Sequence, residues 1–282
     1  MSPAWEPPGG PTRAAGGLLG VAGGETWRDG SGRVEPDGPV TTALVDLCHS
    51  YVARRGDGVP LEVAKRHDGV AGPAWLLAVA VVRDAERERV AETLELALAA
   101  GVALHDLGDC VSYVEMAARL FAGQPAEAVV EASTGRPVLP VGPGGPELCG
   151  ESVADALAAG LWALCQAGGV ADVVQALSGV APPSVGAAAA GLVGLRDGGG
   201  AVPAHWHRRL RCSAACLALA PGLVRARCRT SAEDGVGRGA DVASTGTCGP
   251  LVVRATCARS APSELDPFAR PFQPRLVGVA AQ

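Results

Sequence analysis

Apolar positions recur at three- and four-residue intervals over most of this chain, the period of helices with one face on a core. Leu44, Leu47, Cys48, Tyr51 and Val52 set a helix over residues 41–55, with Thr41 or Thr42 placed to cap it. A helix over 85–100 carries Glu86 and Glu88 early and an imperfect apolar face of Leu94, Leu96 and Leu98. The same reading predicts helices over 14–22, 73–83, 109–122, 124–133, 151–166, 170–177 and 185–194. No strand-turn-strand alternation interrupts the series, so the fold class expected is all-α, a compact multi-helix bundle.

Glycine and proline punctuate the pattern. Residues 1–13 are rich in both and are expected to be disordered, 23–39 should turn, and 135–150 reads as a surface loop. From Arg211 the periodicity fades into Gly, Pro, Ser, Thr and scattered Cys. The domain expected is therefore a helical body over 14–210 followed by a poorly structured tail over 211–282.

Composition narrows the partners. With 48% hydrophobic residues but only 4% aromatic, the core must pack through Ala, Gly, Val and Leu, which favours close helix approach. A net charge of −5 without a basic stripe argues against a nucleic-acid partner. No basic, then apolar, leader opens the chain, and no long uncharged apolar run follows. A soluble, cytoplasmic protein with no membrane partner is expected. Nine cysteines without a secretion signal are expected to be free thiols rather than a disulfide framework.

Candidate chemistry is sparse. His105 before Asp106 has the form of a base with its orienting acid. Asp155 falls on a small-residue helix, Glu25 follows a glycine pair, and an alternative register brings Asp37 towards Glu25. His205, His207, Cys212 and Cys216 lack the spacing of a structural zinc site.

Six blocks occur in the order found in one family. They are GGLLGVAGG from Gly16, PVTTAL from Pro39, Gly72-Pro73-Ala74-Trp75, Leu104-His105-Asp106, VADAL with LWAL from Val153, and Ser178–Trp206 with its Ala/Gly helix and Pro203. Over about residues 14–208 the chain resembles the ADP-ribosylglycohydrolases. The resemblance implies an all-α fold and, in active members, paired acids holding Mg²⁺ for attack at a ribose anomeric carbon. It also implies ligand-binding roles for Gly72, Trp75, His105 and Ser184, and vestigial metal positions at Glu25, Thr42 and Ser184. The acids themselves are mostly replaced. Glu25 keeps a carboxylate, whereas Val40, Thr41, Ala181 and Pro183 stand where the family places aspartates. The connection from Glu25 to Gly38 is also shorter than the family's.

Paired divalent ions need carboxylate oxygens, and leaving their charge uncompensated costs several kcal/mol per ion. The function expected is therefore that of a non-catalytic relative binding ADP-ribose, a nucleotide or an ADP-ribosylated partner, with no cofactor unless the family's Mg²⁺ chemistry survives. Two alternatives stand beside it. One is a hydrolase of an ADP-ribosyl bond in which Glu25, His105 or Asp155 takes over. The other is a scaffold that docks a protein partner.

Overall fold

Two helices of small residues form the axis of the molecule. In the computed structural model, which describes residues 9–26, 37–53, 59–135, 148 and 150–237, α1 (Gly10–Thr26) runs antiparallel to α10 (Pro183–Asp197). A methyl group on Gly16, Gly20 or Gly24 would lie 2.1, 2.2 or 2.3 Å from the carbonyl oxygens of Gly194, Ala190 and Gly186 respectively. No side chain fits at these positions, so glycine every fourth residue lets two backbones touch. Dispersion contacts between the closely packed backbones then replace side-chain interdigitation.

Around this pair lie α2 (Pro39–Val52), α4 (Leu77–Val82), α6 (Leu107–Phe121) and α8 (Val153–Gln166). All six residues of α4 are buried, the pattern of a helix enclosed on every side. The short α3 (Val59–Arg66) rests on α2 and on α5 (Glu86–Ala99), and α5 packs on α6. Next to α6 and α8 lies α7 (Ala126–Thr134), while α9 (Val170–Leu177) leans on α10. A single turn, α11 (Ala204–Arg209), carries Trp206 into the core, where its ring occupies the space beside Gly23. No strand occurs among the described residues, and none of their helices is long and apolar enough to cross a membrane.

The helical body outgrows the boundaries read from the sequence. It begins at Gly10, inside the stretch expected to be disordered, and α12 (Ser213–Gly237) follows beyond residue 210. Cys216, Leu219, Ala220, Leu223 and Val224 are buried, and α12 packs on α1, α2 and α4. Its residue Arg227 is buried too. The guanidinium donates to the carbonyls of Ala80, Val81 and Arg83 at the C-terminal end of α4, 3.3–3.5 Å away. It pairs with Asp84 and lies 5.3 Å from the centre of the Phe121 ring. All described residues belong to one compact unit, and none lies beyond residue 237. Most of the expected tail therefore lies outside the described residues, as does most of the loop over 135–150.

Candidate functional site

The axial pair opens at one end. Gly24 near the end of α1, the loop Ser178–Pro182 and the first turn of α10 surround a cavity of about 340 Å³. Val174, Leu177, Ala181 and Pro183 supply its apolar wall, and among the described residues no ionisable side chain lines it. Gly179 holds φ +73°, a left-handed turn that suits glycine and carries the loop from α9 towards α10.

Beside this cavity Glu25 is 5% exposed, yet its carboxylate does not point into open space. One oxygen accepts from the Val40 N–H at 2.9 Å and the other from the Thr41 N–H at 2.6 Å. These are donors of the first turn of α2, left without partners inside the helix. A carboxylate there meets the positive end of the helix dipole in two charge-assisted bonds. The approach needs Gly38, because a methyl group on it would fall 2.3 Å from the Glu25 oxygen. The capping expected of Thr41 or Thr42 is thus supplied from α1. Gly38 is the N-cap and makes no side-chain bond, while Thr42 is exposed and its hydroxyl donates back to the Gly38 carbonyl at 2.9 Å.

Besides Thr93 Oγ1 on α5, three buried polar groups remain without a hydrogen-bond partner among the described residues. They are Thr41 Oγ1, Trp75 Nε1 and Ser184 Oγ. They belong to α2, to the 3-10 turn Ala74–Leu76 and to α10, and that turn packs on both helices. Gly72, at φ +78°, brings its backbone against Ser184, where an added methyl group would sit 3.4 Å from the Ser184 Cβ.

These donors do not fit a pair of magnesium ions. Glu25 has both oxygens committed, Thr42 turns back on its own helix, and Val40, Ala181 and Pro183 have no side-chain ligand atom. No group of three or more His, Cys, Asp or Glu side chains suited to a metal occurs among the described residues.

Neither a protein-family model nor a curated protein sequence matches the chain. Solved structures do. An ADP-ribosylglycohydrolase-related protein complex superposes at a TM-score of 0.63, covering 78% of this chain and 99% of its own, with 19% sequence identity. The fold is that of the ADP-ribosylglycohydrolases.

On this ADP-ribosylglycohydrolase-like frame the candidates from the sequence separate. Gly72 and Ser184 come together, and Trp75 is buried on the neighbouring turn. His105 stands apart, with its side chain 82% exposed and its Nε2 3.5 Å from Asp106. It does not line the cavity. Asp155 sits in the first turn of α8. Its backbone N–H donates to the Ser152 hydroxyl, which in turn donates to the Asp155 carboxylate at 2.6 Å. That is a reciprocal helix cap. Glu25 is not paired with Asp37, because its two oxygens are taken by the Val40 and Thr41 N–H groups.

Sequence reasoning missed the lining contributed by Val174 and Leu177, and the buried hydroxyl of Thr41. Helical spacing places Val174 and Leu177 on one face of α9, but only the tertiary fold turns that face to the loop.

Proposed function

We propose that this ADP-ribosylglycohydrolase-like chain binds a nucleotide-type ligand, ADP-ribose in the first instance, and does not hydrolyse it. The observation that carries this reading is the commitment of both Glu25 oxygens to α2. Its carboxylate is the one acid retained at the positions named above, and it serves a helix instead of a metal or a water. Two features favour a bound ligand. The cavity abuts the N-terminus of a fifteen-residue helix, whose dipole suits an anion although Pro182 and Pro183 contribute no N–H. The neighbouring Ser184 hydroxyl is buried without a partner, a group that a ligand oxygen would satisfy.

Titration calorimetry with ADP-ribose tests the binding, and release of arginine from ADP-ribosylarginine tests the chemistry. The expected outcome is saturable binding that is the same in Mg²⁺ and in EDTA, weakened in Ser184→Ala, with no release above buffer. Mg²⁺-dependent turnover that disappears in Glu25→Ala would replace this proposal by the hydrolase reading.

The scaffold reading has one observation of its own. Val40, Trp75 and Leu76 are each no more than 1% exposed, so bulky side chains fill the interior where the family's cleft residues are expected. Absence of binding to ADP-ribose and related nucleotides, together with a stable copurifying protein, would favour that reading.

A further inference from the structure

Asp46, His49 and Ser50 follow one another at helical spacing on α2, and Val59, Val63 and Arg66 do the same on α3. Both stripes line one cavity of about 310 Å³, near the end of α2 opposite the one that Glu25 caps. Ligand cavities run from about 300 to 1,000 Å³, so this one suits a small molecule.

Its polar groups divide by role. The Ser50 hydroxyl gives its proton to the Leu47 carbonyl at 2.6 Å, which leaves only its lone pairs for a ligand. Asp46 has one oxygen 2.9 Å from His67 Nε2, and its side chain is 40% exposed, so the other oxygen can accept. The C-terminal end of the α2 dipole adds negative charge beside them. From α3, Arg66 can only donate. Arg83, Arg89, Arg196 and Arg227 each pair with a carboxylate, whereas the Arg66 guanidinium pairs with none among the described residues. Val59 and Val63 supply an apolar wall, and His49 can serve either as donor or as acceptor.

We propose that this cavity binds an α-amino acid with a short aliphatic side chain. The ammonium donates to Asp46 and Ser50, the carboxylate accepts from Arg66, and the side chain rests on the two valines. An amine alone leaves Arg66 unanswered, and a carboxylate alone meets Asp46 and the negative end of α2. The site is separate from the cavity beside Glu25 and does not depend on the nucleotide reading.

Calorimetry and amide shifts of the isotope-labelled full chain test this with three probes. They are L-valine, isovalerate, which lacks the amine, and isobutylamine, which lacks the carboxylate. Valine should bind once per chain and shift the amides of residues 46–53 and 59–66, with each analogue about tenfold weaker. Arg66→Gln should weaken valine about tenfold and leave isobutylamine unchanged. Asp46→Asn should weaken valine and isobutylamine but not isovalerate. A purely structural role for either residue would move all three probes together. Isovalerate binding as tightly as valine, or valine undiminished in Arg66→Gln, overturns the proposal. So do shifts confined to residues 178–186, and so does a lack of binding at millimolar valine. Should Asp46→Asn loosen the fold through His67, Arg66→Gln still decides, because that side chain is exposed.

Discussion

Glu25 and Arg227 are buried charges of opposite sign in the same helical body, and they are used alike. Glu25 places its carboxylate on the N–H groups opening α2, and Arg227 places its guanidinium on the carbonyls closing α4. Each matches the sign of the helix dipole it meets. They differ in how completely the charge is answered. Arg227 also has a carboxylate partner in Asp84 and an aromatic face in Phe121, whereas Glu25 relies on backbone donors. A buried charge in this chain can therefore mark a helix end as readily as a reaction centre, and sequence position alone does not separate the two.

The largest effect should come from removing the Arg227 end altogether. Ending the chain at residue 210 uncovers α1, α2 and α4 and deletes Leu219, Leu223 and Val224 from the core. At about 2 kcal/mol for each such side chain, the loss is comparable with a typical total stability of about 5–15 kcal/mol. Urea unfolding followed by circular dichroism should lose its cooperative transition. A sharp transition in the shortened chain would show that α12 is an accessory.

Next comes Arg227→Met, which keeps the volume and removes the donors. Breaking a buried pair typically costs about 3–5 kcal/mol, and the half-exposed Asp84 can rehydrate, so about 3 kcal/mol is expected from the urea midpoint. Arg227→Lys should recover only part of this, because one ammonium cannot span three carbonyls and a carboxylate.

Glu25→Ala should cost less, about 2 kcal/mol, through two N–H groups left without an acceptor. In Glu25→Gln one amide oxygen still accepts, and about half that cost is expected. Full stability in Glu25→Gln combined with a changed affinity for ADP-ribose would make Glu25 a ligand group and end the parallel with Arg227.

The last prediction concerns a titratable group with no helix end to serve, and near neutral pH it has no effect. Burial, with smaller contributions from Asp106 and Asp109, pushes the Cys110 thiol from 9.0 up to about 12. Its folded value lies above its unfolded one, so this contribution is complete below about pH 9 and is lost as pH rises towards about 12. Stability of the unsubstituted chain should fall over that window, and the fall should be shallower in Cys110→Ala.

Much of the body was legible as periodicity. The sequence places α9 over the same residues, 170–177, that the structure does, and the long apolar runs of α5, α6 and α8 lie within two residues of their expected limits. The misses share a cause. In α12, Leu219, Leu223 and Val224 keep helical spacing, but Pro221 and Gly222 interrupt the local signal and Arg227 occupies the buried face. Gly222 is there for contact, since a methyl group on it would meet Val52 at 2.7 Å. The early start of α1 hid in a Gly/Pro-rich stretch, α11 is too short to show a period, and α3 is more polar than α9, which has the same length.

At the site, Ala181 in the loop and Pro183 at the start of α10 were legible because they interrupt an otherwise matched frame. The partner of Glu25 was not, because fifteen residues separate it from Val40 and only the tertiary fold closes that distance.

The glycine ladder along the axis has a mechanical meaning for the cavity. Where backbone rests on backbone there are no rotamers to yield, so Gly24 and Gly186 form a stiff rim. Chemistry at that rim then resides in the replaceable loop between α9 and α10. Exchanging Ala181 or Ser178 there would change the lining of the niche while the glycine rim stays in place.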